Sequence, residues 1–141
     1  MEAVGSILAG RREGKIPDEF RLRRINSMGI QVTTRQVGDV SVVDVVGRIT
    51  LGEGGSTLRE TVRGLVSKGN KKVLLNLGEV SYIDSSGIGE LVSAFTTVTN
   101  QGGVMKLLNL TKRVEGLLQI TKLYTVFEVF DSEVSAMHSF A

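Results

Sequence analysis

The sequence predicts a single α/β domain: a mostly parallel sheet with an antiparallel N-terminal edge strand and about four helices. Three observations carry that prediction. An alternating segment, residues 29–37, and a valine-rich one, residues 40–49, flank Gly38-Asp39 and read as a hairpin. Two near-continuous apolar runs, residues 72–77 and 104–108, have the composition of strands buried on both faces. Segments of helical period separate the later strands, as βαβ crossovers require.

Taken in order, Ile30, Val32 and Thr34 alternate along the first strand, and Val40, Val42, Val43, Val45, Val46 and Ile49 make the second. Gly52-Glu53-Gly54-Gly55 reads as a loop. Ser56 or Thr57 then caps a helix, with Glu60 three residues after Thr57 as in a capping box. Leu58, Val62, Leu65 and Val66 give that helix its apolar face, and Gly69-Asn70 ends it. After the strand at 72–77, residues 78–83 read as a loop leading to Asp84-Ser85-Ser86-Gly87. Ile88, Leu91, Val92, Phe95 and Val98 recur with helical period up to Gln101-Gly102-Gly103. Beyond the strand at 104–108, residues 111–123 read as a helix and 126–130 as a short last strand. Asp131 or Ser132 caps a final helix carrying Val134 and Met137. The predicted order is ββαβαβαβα.

Composition narrows the chemistry. The chain has 141 residues, enough for one domain with a real core. It has no cysteine, which excludes a disulfide scaffold, a thiolate metal site and a cysteine nucleophile. The one histidine, His138, is the fourth residue from the end, so neither a metal site nor a Ser/His pair is expected, and no cofactor is. Residues 1–28 carry six basic and four acidic side chains, whereas residues 29–141 carry eleven of each. The net charge of +2 thus comes from the first segment, and a neutral body argues against nucleic acid as a partner. No apolar run is long enough to span a bilayer, and the first segment lacks a signal-peptide pattern, so a cytoplasmic protein is expected. Residues 1–28, with sparse apolar positions, read as a leader: an appended extension, a flexible tail, or a short helix around Glu19 to Ile25. The domain itself is expected at 29–141.

The segment Asp84-Ser85-Ser86-Gly87-Ile88-Gly89 sits where working residues collect in parallel sheets, at the carboxyl end of a strand and the start of a helix. Two readings of Ser85 stay open. It can be the N-cap, accepting a backbone N–H. It can also be a modifiable hydroxyl, because a helix N-terminus tolerates a phosphate. Asp84 can cap the helix, orient the turn or touch a partner, and Ser86 is a second capping hydroxyl. Gly87 and Gly89 keep the backbone uncrowded for an approaching protein. The segment is not a nucleophile elbow, since Gly-x-Ser-x-Gly is absent, and it is not a Walker A loop.

With these residues in view, residues 30–141 resemble the STAS domain of anti-sigma factor antagonists. The resemblance is carried by residues 42–47 entering Gly47-Arg48-Ile49, by Lys72-Val73-Leu74-Leu75-Asn76-Leu77, and by Tyr82-Ile83-Asp84-Ser85-Ser86-Gly87-Ile88-Gly89. Gly102-Gly103 followed by Leu107 and Leu108 also fits. It implies a binding module with no catalysis of its own. Its partner would be an anti-sigma factor serine kinase, bound when the antagonist is unphosphorylated, so that the sigma factor is freed. Phosphorylation of Ser85 would end binding, and a PP2C-type phosphatase would reset the switch. Asp84, Ser85, Ser86, Gly87, Ile88, Gly89 and Glu53 are the implied partner-binding residues. The family often carries an acidic residue soon after the glycine of the second strand's turn; this chain has Thr50 there and Glu53 nearby. Two other readings compete: a non-switching STAS adaptor or scaffold in a signalling or lipid-transport complex, and nucleotide binding, for which no phosphate loop is present.

Overall fold

The computed structural model describes residues 7–8, 10–11, 25–27, 29–50 and 53–141, with side chains from 29–50 and 56–141. A short parallel pair, β1 (Ile7–Leu8) and β2 (Gly10–Arg11), stands apart from the main sheet. The main sheet has six strands in the order of their sequence: β3 (Ile25–Ser27), β4 (Ile30–Val37), β5 (Val40–Ile49), β6 (Lys72–Ile83), β7 (Val104–Leu108) and β8 (Val129–Phe130). The ladders β3–β4 and β4–β5 are antiparallel, and β5 through β8 are parallel. The predicted α/β architecture and its antiparallel edge are therefore present. The reading of a helix around Glu19 to Ile25 lies outside the described residues except for Ile25, which opens β3.

Among the described residues four α-helices connect and cover the sheet: α1 (Glu53–Ser67), α2 (Ser85–Asn100), α3 (Lys112–Ile120) and α4 (Glu133–Phe140). Leu58, Val62 and Val66 of α1, Ile88, Leu91, Ala94 and Val98 of α2, and Val114 and Leu118 of α3 pack together against one sheet face. That face presents Val43, Val45, Val73, Leu75, Leu77, Met105 and Leu107. The opposite face offers Val42, Leu74 and Leu108 to Ala136 and Phe140 of α4. The two-residue alternation of a strand thus divides one sheet between two cores. Each fully buried aliphatic side chain contributes about 1.5–3 kcal/mol, and that packing is the main support of the fold.

Polar contacts fix α4. Lys106 projects from β7 under the helix, its side chain only 8% exposed. Its Nζ donates to the Ser139 carbonyl at 3.0 Å and to Ser139 Oγ at 2.9 Å, pairs with Glu128 at 3.1 Å and lies 4.7 Å from the Phe140 ring centre. Arg35 on β4 forks between two carboxylates, donating to Asp44 at 2.7 Å and to Glu133 at 2.8 Å. The hydrogen bond from Arg35 holds the Glu133 carboxyl below its ordinary range, and the two carboxylates hold the guanidinium above its own.

The structure corrects several boundaries. Residues 78–83 are not a loop. β6 continues to Ile83, paired through Arg48↔Tyr82 and Ile49↔Ile83. Register shifts between Asp44 and Val46 and between Gly47 and Arg48 put β-bulges into the ladder, so strict alternation is lost just where the sequence had to be read. Helix α1 starts at Glu53, not after a loop through Gly55. Packing of its later turns carries two glycines that are poor helix formers on their own. Helix α3 is shorter than 111–123: Thr111 is its N-cap, and Lys122 at φ 63 breaks the helical path before a 3-10 turn over Leu123–Thr125. β8 is two residues rather than five, and Ser132, not Asp131, caps α4.

Candidate functional site

The carboxyl ends of β5 and β6 lie side by side, Ile49 opposite Ile83, and the chain turns from Ile83 through Asp84 into α2. Asp84 is extended, at φ −118 and ψ −175, the geometry of a helix N-cap. Its Oδ1 accepts the Gly87 N–H at 2.8 Å, and its carbonyl accepts the Ile88 N–H at 3.0 Å. The capping role left open between aspartate and serine belongs to Asp84. Ser85 is the first residue inside the helix. It is exposed, and its hydroxyl makes no hydrogen bond among the described residues. Ser86, read from sequence as a second capping hydroxyl, is half-buried and likewise makes none.

Two residues expected on a partner-facing surface are buried instead. Gly87 packs against the end of β5: a Cβ there would lie 2.1 Å from the Ile49 carbonyl oxygen and 2.8 Å from Ile83 Cγ1. Ile88 is part of the helix-side core. Gly87 is thus required for close approach within the domain rather than for room outside it. Gly89 differs. It is exposed, and a Cβ there would meet nothing within 4 Å. The outward part of the segment is Ser85 and Gly89, with Asp84 and Ser86 half-buried beside them. Glu53 opens α1, and its side chain lies outside the described residues.

One turn further along α2, Glu90 forms an ion pair with Arg59 of α1, with only 12% of the glutamate side chain exposed. This pair ties the two helices together behind the Ser85 turn.

Sequence reasoning missed a cationic cluster beside the motif. Arg48 and Tyr82 are ladder partners on β5 and β6, and the Arg48 guanidinium carbon is 5.5 Å from the Tyr82 ring centre. Arg113, in the first turn of α3, lies 4.4 Å from the same centre, and its Nε donates to the Ile83 carbonyl at 3.3 Å. Both arginines lack a carboxylate partner among the described residues. Arg113 is thirty-one residues from Tyr82, so only the crossover topology brings them together. Elsewhere, a cavity of about 360 Å³ lies under Leu110, Leu118, Tyr124, Phe127 and Val129, none of them from the Asp84–Gly89 segment.

Comparison with known proteins agrees with this architecture. The STAS domain family matches residues 31–136. The chain is 34% identical over 102 residues to the anti-sigma-B factor antagonist of Bacillus subtilis (strain 168), covering 72% of this chain and 92% of that protein. A crystal structure of an anti-sigma factor antagonist from Mycobacterium paratuberculosis superposes with a TM-score of 0.69 at 17% identity, covering 78% of this chain and 92% of that one. SpoIIAA, at 19% and 18% identity, superposes in its unphosphorylated form (TM-score 0.66, 77% of this chain and 95% of that one) and in its phosphorylated form from Bacillus (0.63, 78% and 99%). The structural likenesses show the fold. The family match and the Bacillus relative go further: this chain belongs to the STAS domain family.

Proposed function

We propose that this protein is a cytoplasmic anti-sigma factor antagonist. It binds an anti-sigma factor serine kinase while Ser85 is unmodified, frees the sigma factor, and is switched off by phosphorylation of Ser85. One observation carries the reading: Ser85, just beyond the carboxyl end of β6, is exposed and its hydroxyl makes no hydrogen bond among the described residues, while Asp84 does the capping. A hydroxyl spared from structural duty can be modified without dismantling the helix. The backbone N–H groups of the first turn also favour a negative charge there.

The switch then works at the surface. A phosphoryl group brings nearly two negative charges. Facing a partner surface that receives a neutral hydroxyl, those charges are desolvated or meet acidic groups. A penalty of about 3–4 kcal/mol weakens binding a few hundredfold. The chain fold need not change. The same fold is found for SpoIIAA with and without phosphate. Gly89 leaves the backbone of the second turn open to the partner, and a PP2C-type phosphatase resets the state. Among the described residues no helix is long and apolar enough to cross a membrane, which suits a partner-switching protein of the cytoplasm.

The test has two parts. Phosphopeptide mass spectrometry on the protein from its native host should find phosphate on Ser85 with an occupancy that changes between growth and stress. Ser85→Ala should bind the kinase constitutively, and Ser85→Asp weakly. Equal affinity of the two variants, or no phosphate in any condition, would move the reading to a non-switching STAS adaptor.

A further inference from the structure

The Arg48–Tyr82–Arg113 cluster has no part in the core or in the helix clamps. Among the described cations, Arg35, Arg59, Arg63, Lys72 and Lys106 sit against carboxylates. Arg48 and Arg113, like Lys68, Lys71, Lys112 and Lys122, do not, but these two converge on one aromatic ring, at 5.5 and 4.4 Å. Stacking on Tyr82 satisfies the faces of the guanidinium groups and leaves their N–H edges open. Arg113 uses one donor, Nε, on the Ile83 carbonyl, so its terminal nitrogens are free to bond elsewhere. Both guanidinium groups lie within 5.5 Å of one ring centre, and a doubly charged oxyanion reached by both would offset their mutual repulsion while filling the open donors.

We infer that Arg48 and Arg113 form a receiving site for the phosphoryl group of modified Ser85, holding it against the protein's own surface. The inference rests on Ser85 being the modified residue. Topology supplies the neighbourhood. Arg113 is anchored on the carbonyl of Ile83, two residues before Ser85, and Arg48 pairs in register with Tyr82, three residues before it. The near acid, Asp84, has one oxygen engaged by the Gly87 N–H. Glu90, the next acid along α2, is neutralised by Arg59. Two cations and a helix N-terminus outweigh the Asp84 carboxylate, so the surroundings favour the dianion. In the modified state the arginines are then occupied and unavailable to a partner.

The experiment is a ³¹P NMR titration of the full chain with phosphoserine installed at position 85 by codon suppression. A phosphoserine peptide serves as reference, with a second pKa near 6. The protein's phosphoryl group should titrate about one pH unit lower, the effect of two exposed cations in near contact. R113Q and R48Q, each checked by its amide spectrum for an intact fold, should each return roughly half of that difference. R113K, which keeps the charge without the planar fork, should retain most of it. Titration at the peptide value would overturn the inference. So would a lowered value that neither glutamine variant moves, since the helix end alone would then be responsible. Because the phosphoserine is installed, the result stands apart from the kinase. Absence of phosphate in the native host would remove the switch and leave this titration readable. An unshifted titration alongside discrimination between Ser85→Ala and Ser85→Asp would remove the arginine site alone.

Discussion

Gly87→Ala isolates what the domain demands of the motif. In an ordinary helix interior this change stabilises, by roughly 0.5–1 kcal/mol, because glycine loses more backbone freedom on folding. Here the new Cβ would lie 2.1 Å from the Ile49 carbonyl oxygen, 2.9 Å from the Ile49 carbonyl carbon and 2.8 Å from Ile83 Cγ1. Two of those three atoms are backbone in β5, so no side-chain rotation relieves them. Either the first turn of α2 lifts from the sheet or β5 shifts. Overpacking of this kind costs about 1–3 kcal/mol, and a backbone obstacle places it at the upper end. Setting the propensity gain against that leaves a net loss of about 2 kcal/mol. With a urea m-value of about 1–3 kcal/mol/M for a small domain, the unfolding midpoint should fall by roughly 0.7–2 M. Gly89→Ala is the internal control, since its Cβ meets nothing within 4 Å, and it should be neutral or slightly stabilising. Equal midpoints for the two variants would refute the packing argument and return Gly87 to the role of an exposed docking residue.

Three further outcomes are expected. Asp84→Ala should cost about 1 kcal/mol in equilibrium unfolding by removing the N-cap, whereas Asp84→Asn, which keeps the acceptor, should cost only a few tenths. Arg59→Ala leaves Glu90, 12% exposed, without its partner, and should cost about 1–3 kcal/mol; a double-mutant cycle with Glu90→Gln should recover part of it. For Glu133 the hydrogen bond from Arg35 lowers the folded-state pKa, so its stabilisation is present above the unfolded-state value of about 4.3 and lost as pH falls through the lower folded value. A ¹³C titration of the Glu133 carboxyl should therefore run below that of a free glutamate, and Arg35→Gln should bring it back.

The parts of the fold that were legible in sequence are those where one periodicity runs uninterrupted. Val73, Leu74 and Leu75, and Met105, Leu107 and Leu108, announce buried strands because both faces of the sheet are covered. Ile88, Leu91 and Val98 announce α2 because one stripe meets the sheet. Legibility fails where tertiary pairing overrides local pattern. The extra residues of β6 between Asn76 and Glu79 and between Val80 and Tyr82 shift the register opposite Val46 and Arg48, so Val80 and Ile83 face the core at a spacing that no simple alternation predicts. Glycines at 54 and 55 look like a loop, yet they are carried into α1 by the packing of Leu58 and Val62. At the site, the sequence located the turn but could not divide its labour. Whether Asp84 or Ser85 caps depends on which residue is extended, and that is fixed by how β6 ends against β5.

That division of labour bears on how such a switch can be built at all. If Ser85 were the N-cap, attaching a phosphoryl group would remove the acceptor that satisfies a backbone N–H, and modification would cost helix stability as well as binding. Moving the cap one residue back, to Asp84, separates the two effects. Gly87 then pins the turn to Ile49, and Arg59–Glu90 pins α2 to α1, so with the Asp84 cap three contacts hold the helix that presents Ser85 without using the serine. Under the proposed switch, a hydroxyl presented in this way would be read by a partner as neutral or charged without the helix being dismantled. The outward glycine is Gly89 and not Gly87. The inner one is consumed by the fold, whereas a Cβ on the outer one would meet nothing within 4 Å.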